Sequence, residues 1–216
     1  MIHRKYIIIL AVAALVAAAI MVEGCATTRL VNVWRNPHFV RPPLTNVFVV
    51  AMKDDSGIRR MWEDRFVAEL EKYGVKATPS YTLYPDAPPD TIAMREAVQN
   101  NHYDGLLMTI NLPTRAWLTV YPPDYWGWGG WRWHDWDDWY GSYGYYYGLA
   151  YGPGFFEETT EVRNRTEVWS TLGKGALEWT ATSEVFNPIS STQVAKSVAN
   201  KVVPALAHQG LIYGKK

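Results

Sequence analysis

Apolar and polar positions alternate between two periods along this chain. Val47 to Met52 is a continuous apolar run, the pattern of a strand covered on both faces. Asp54, Asp55 and Ser56 follow it and supply helix N-cap chemistry. From Ile58 the spacing becomes helical, with Ile58, Trp62, Phe66, Leu70 and Tyr73 three or four apart and Gly74 as the stop. Val75 to Ser80 reads as a second strand. Pro85, Pro88 and Pro89 form a loop, and Asp90 or Thr91 caps a helix over about 92–101. Asp104 and Gly105 lead into a third strand, Leu106 to Asn111, with a continuation through Arg115 to Val120. Residues 157–171 and 176–186 are two antiparallel strands joined by a Leu172-Gly173-Lys174-Gly175 turn. A last helix over about 192–208 carries Val194, Val198, Val202, Ala205 and Leu206 on one side. Pro204 is expected to kink it, and Gly210 ends it. Upstream, Pro37, Pro42 and Pro43 make residues 25–45 a tether, within which Val31 to Trp34 is a short edge strand.

The order β-α-β-α-β, insertion, β-β-α predicts an α/β (α+β) fold, a mixed sheet with helices packed on it. Residues 46–216 form one domain in this reading, interrupted by an insertion at 121–155. The chain has 216 residues, with 21 Lys and Arg balancing 21 Asp and Glu. That balance excludes a nucleic-acid partner held by phosphate neutralisation. One cysteine excludes an internal disulfide and any multi-cysteine metal site.

The first residues carry an address. His3, Arg4 and Lys5 precede an uncharged apolar run from Tyr6 to Met21. As a helix that run covers about 24 Å, short of a hydrocarbon core of about 30 Å. A basic start, an apolar stretch and then small residues is the order of a secretory signal. The run ends in Val22-Glu23-Gly24-Cys25, which resembles the lipobox of bacterial lipoproteins. Glu23 departs from that pattern, which has a small or neutral residue there. The resemblance implies cleavage between Gly24 and Cys25, acylation of Cys25 and anchoring to a membrane; 1–24 is then the signal peptide. Durable anchoring needs two or more chains, at ~0.8 kcal/mol per buried methylene. Ala26 stands where such families place Asp for inner-membrane retention, so the periplasmic face of the outer membrane is expected. The alternative is an uncleaved signal anchor with an inert Cys25.

The layout is similar to periplasmic α/β lipoprotein domains: the curli-secretion lipoprotein, the penicillin-binding-protein activator lipoprotein and the TolB amino-terminal domain. The likeness rests on Asn101-His102-Tyr103-Asp104-Gly105-Leu106-Leu107 before one strand and Gly175-Ala176-Leu177-Glu178-Trp179 opening another. It also resembles lipoproteins with an uncharacterised domain of this layout and a Trp/Tyr/Gly-rich loop.

The insertion is dense in rings. Between Trp117 and Phe156 lie 17 of the chain's 31 aromatic residues, with almost no aliphatic ones to build a packed core. Trp126, Trp128, Trp131, Trp133, Trp136, Trp139, Tyr143 and Tyr146 form its candidate interaction surface. Such residues give large contact area with a polar tip. Four readings stay open: a low-complexity disordered loop, a surface for an envelope protein or bilayer interface, a platform stacking on peptidoglycan or lipopolysaccharide sugars, and self-association. His134 with Asp135, Asp137 and Asp138 is the only His/carboxylate cluster. It carries a hydrolase alternative or a weak cation site; solvated loop charges are the plainer reading. Asp54 and Asp55 stand where open α/β sheets bind ligands, but helix capping is their expected work. No nucleophile elbow, Walker loop or His-Glu-x-x-His segment occurs, and His38, His102 and His208 are isolated. The expectation is a non-enzymatic envelope interaction module, with no cofactor and no catalytic residue.

Overall fold

The computed structural model describes residues 27–39, 42–121, 155–173 and 175–214. Six strands form one mixed sheet: β1 (Thr27–Arg35), β2 (Asn46–Met52), β3 (Lys76–Pro79), β4 (Gly105–Tyr121), β5 (Phe155–Ser170) and β6 (Ala176–Phe186). Three helices pack on it: α1 (Ser56–Glu71), α2 (Thr91–Asn101) and α3 (Ser191–His208), the last including Pro204. The sheet order is β1-β6-β5-β4-β2-β3. β2 is parallel to both β3 and β4, and the other pairings are antiparallel. The mixed α/β reading holds. The opening segment differs: instead of a short strand at Val31 to Trp34 within a tether, nine residues from Thr27 form an edge strand on β6. A bulge between Val31 and Trp34, with Asn32 at φ 51°, breaks that edge. Bulges of this kind protect an edge from pairing with other chains.

Alternation along β2 sends its side chains to two cores. Val47, Val49 and Ala51 join Trp62, Phe66 and Leu70 of α1 and Val194, Val198, Val202 and Leu206 of α3. Phe48 and Val50 meet Ala97 of α2 and Tyr103 on the opposite face, where the Phe48 and Tyr103 rings stack at 4.8 Å. Both faces of β2 are therefore covered, which explains its unbroken apolar run. On the α1/α3 side β5 and β6 contribute Val162, Val168, Ala181 and Val185 to the core. Their other face carries Arg163 and Glu184, and Arg29 of the neighbouring β1 donates from Nε to Glu184 Oε2 at 2.6 Å.

The Asp104-Gly105 step is a joint. One Asp104 carboxylate oxygen accepts from the Thr45 amide and hydroxyl at 2.8 and 2.7 Å, and the other from the Asn46 amide at 3.0 Å. This fixes the start of β2 beside the start of β4. A Cβ at residue 105 would sit 2.8 Å from Leu44 Cδ1, so a larger residue there would have to displace the buried Leu44 side chain. Asp104→Ala should lower unfolding free energy by about 1–3 kcal/mol, by loss of charge-assisted hydrogen bonds. Urea denaturation checks it: the midpoint falls while the slope holds.

Candidate functional site

Two features stand out at the end of the sheet where β2 finishes. The first is a crevice. The β2–α1 crossover lies on one face and α2 on the other, so the gap between the carboxyl ends of β2 and β4 is the switch point of the parallel part. Asp55 N-caps α1, its Oδ1 accepting from the Ile58 amide at 2.7 Å. That is the capping work the sequence suggested.

Lys53, the first residue past β2, is 6% exposed. Its Nζ donates to Asn111 Oδ1 of β4 and, at 3.1 Å, to Asn164 Oδ1 of β5. It also lies 3.8 Å from the centroid of the Trp62 ring. Among the described residues no carboxylate pairs with it. Burial pushes its pKa down from 10.5 to about 8. In front of Asn111 and Trp62 opens a cavity of ≈ 380 Å³, bounded also by Ile58, Thr114, Thr160 and Ile189. Beneath it a polar seam runs through the core. Thr109 pairs across strands with Thr166, and Asn164 with Ser183. All four are buried, and the Thr109, Thr166 and Ser183 hydroxyls and Asn164 Nδ2 lack a hydrogen-bond partner among the described residues.

Close by, Glu63 ties α1 to the sheet. Its Oε1 accepts from the Ala51 amide at 3.0 Å and the Ser80 hydroxyl at 2.6 Å, and its Oε2 from the Tyr81 amide at 3.0 Å. Arg59 Nε stands 3.5 Å from Oε1, and Arg59 Nη2 donates to the Tyr84 carbonyl. The Tyr81 hydroxyl donates to Asp64 Oδ1 at 2.6 Å. That bond to Asp64, chiefly, pushes the phenol up to about 12, since it favours the protonated form.

The second feature is a ribbon. Beyond a register shift between Leu112 and Arg115, β4 and β5 continue as seven further pairs, from Arg115 opposite Glu161 to Tyr121 opposite Phe155. The aromatic insertion starts and ends at this last pair. At the ribbon's root, Trp117 packs edge-on against Phe186 at 6.4 Å, and the Arg29 guanidinium lies 5.1 Å over the same ring. Leu118 is 65% exposed, more than Trp117.

Gly24, Cys25 and the whole aromatic surface (Trp126, Trp128, Trp131, Trp133, Trp136, Trp139, Tyr143, Tyr146) lie outside the described residues, as do His134 and its neighbouring Asp residues. His38, His102 and His208 fall in a turn, at the left-handed cap of α2 and in the last turn of α3. Among the described residues no group of three or more His, Cys, Asp or Glu is placed to hold a metal ion. Nor is any described helix long and apolar enough to cross a membrane. Sequence reasoning missed Lys53, Asn111 and Asn164. The available signal was a lysine directly after a strand buried on both faces.

No protein-family model matches the chain, and no curated protein sequence matches it. Three similar solved structures are two crystal forms of the PelC dodecamer from Paraburkholderia phytofirmans and the lipoprotein GNA1162 from Neisseria meningitidis. The PelC form in space group C2, a variant, is 13% identical with a TM-score of 0.44, over 83% of this chain and 96% of that one. The form in P6 is 12% identical with a TM-score of 0.43, over the same shares. The GNA1162 structure is 11% identical with a TM-score of 0.40, over 76% of this chain and 99% of that one. At these scores the likenesses assign no function to the chain.

Proposed function

We propose that this chain is a lipoprotein of a bacterial envelope, anchored through Cys25 and working by contact rather than catalysis. On this reading the α/β body hangs beside the periplasmic face of the outer membrane and offers its aromatic insertion to an envelope protein. The observation that carries the proposal is the position of the only cysteine. It follows an apolar run of signal length and a small residue, and it precedes the first residue of β1 by two positions. On this reading two or more acyl chains at Cys25 hold a folded body durably. Support for the contact role comes from the ribbon. Its last pair, Tyr121 opposite Phe155, brackets the insertion, and Trp117 and Leu118 a few residues before it are exposed.

Intact mass spectrometry of the protein isolated from its own membranes tests the anchor. The expected species begins at Cys25 and carries added acyl mass. Cys25→Ala is expected to leave a chain that begins at Met1 without it. A wild-type chain beginning at Met1 with no fatty mass would overturn the proposal. The contact role is tested by a photo-reactive residue at Trp131 or Tyr146. A discrete envelope protein crosslinked in cells is expected, and capture of sugar polymer alone would favour the glycan-binding alternative.

A further inference from the structure

We propose that the crevice at the end of β2 and β4 binds a small amphipathic anion, a carboxylate carried on an apolar body. The inference is independent of the anchor and of the insertion. It starts from charge. The cavity wall contains no Asp or Glu; its residues include Ile58, Trp62, Asn111, Thr114, Thr160 and Ile189. Directly behind Asn111 and Trp62 sits the Lys53 ammonium, held by two amide oxygens and a ring face, with no carboxylate paired to it among the described residues. A buried cation held only by neutral groups projects an uncompensated positive potential toward the open side.

The N-terminus of α3 adds to that potential. Ser190 and Ser191 line the cavity, the Ser190 hydroxyl caps the helix by accepting from the Gln193 amide at 3.2 Å, and the first turn holds no acidic residue. A neutral cap leaves the positive end of an 18-residue helix unmatched by charge. α1 contributes less, because the Asp55 carboxylate already occupies its N-terminus. Asn164, wholly buried and bonded to Lys53, retains an Nδ2 that donates to nothing described. Asn164 stands behind the wall, so the ligand answers the Lys53 charge and the α3 terminus and does not bond to this amide.

Shape sets the rest of the ligand. Trp62, Ile58 and Ile189 offer apolar surface, while Asn111, Thr114, Thr160 and the two serines offer polar atoms. A cavity of ≈ 380 Å³ takes a ring with a short acid-bearing tail rather than a polymer. The carboxylate sits over the Asn111 amide and the α3 terminus, and the apolar body lies against Trp62 and Ile189.

The test uses the full chain in a non-ionic detergent with two probes of nearly equal shape, 3-phenylpropionate and its neutral amide. Backbone amide shifts of Ile58, Asn111 and Ser191 are followed by NMR as each probe is added. The acid is expected to shift these signals saturably, with affinity about fivefold or more above the amide's. Thr114→Glu, an exposed position at the rim, is expected to weaken the acid by about fivefold more than it weakens the amide. Lys53→Met is expected to weaken the acid in the same sense. Equal responses to acid and amide, no shift with either up to about 20 mM, or indifference of acid binding to Thr114→Glu would overturn the site.

Discussion

Glu63→Ala should cost this domain about 3–5 kcal/mol, the range for breaking a buried ion pair by removing one partner. Glu63 is fully buried and Arg59 is 1% exposed. Without the carboxylate, Arg59 keeps one bond, to the Tyr84 carbonyl, and a buried charge with nothing to balance it. The Ala51 amide loses its acceptor as well. That amide needs one because β3 is short: its last pair with β2 is Val49 opposite Pro79. The Glu63 side chain continues the work of a neighbouring strand past the point where β3 stops. Thermal unfolding should show a midpoint lower by about 10 °C or more. Glu63→Gln, which keeps an acceptor but not the charge, should fall between. A loss under about 1 kcal/mol for Glu63→Ala would mean that Arg59 is solvated in a way the packing does not provide.

Lys53 should make the domain more stable as pH rises through a window where most lysines contribute nothing. Its pKa is about 8 when folded, against 10.5. Below pH 8 both folded and unfolded chains hold the proton, so the burial penalty is fully present. Between about 8 and 10.5 the unfolded chain still binds a proton that the folded chain has released, so unfolding free energy climbs with pH. The whole gain is about 3–4 kcal/mol, since one pKa unit is worth 1.36 kcal/mol. Lys53→Met should lack this climb. Denaturant titrations of both proteins at pH 7 and 10.5 isolate it, because every other titrating group is common to the pair. Parallel curves would show that the Lys53 amine is as free in the folded chain as in the unfolded one.

Much of the fold is legible locally. β2 declares itself by an apolar run, α1 by its spacing, and the 172–175 turn by glycines that adopt positive φ at 173 and 175. What cannot be read locally is which strand lies beside which. β1 joins β6 across about 150 residues, and an alternating tetrapeptide says nothing about its partner. The buried stripe of α1 is also wrong by one position when only apolar residues are counted. Ile58 is 38% exposed, while Arg59, Glu63 and Glu69 lie buried beside Trp62, Phe66 and Leu70. An Arg and a Glu four apart read as a surface pair until Ser80, Tyr81 and Ala51 converge on the carboxylate. The crevice is hidden for the same reason. Lys53 finds Asn111 and Asn164 at separations of 58 and 111 residues, which no period or motif encodes.

Tyr121 and Phe155 face each other as the last rung of the β4–β5 ribbon. The intervening chain therefore leaves and rejoins the body at one point, like a pendant on a clasp. Closing a longer or shorter pendant changes the free energy by only about 0.6 kcal/mol per doubling of length. A change in that segment's length thereby leaves the register of this rung, and of the strands below it, in place at little closure cost.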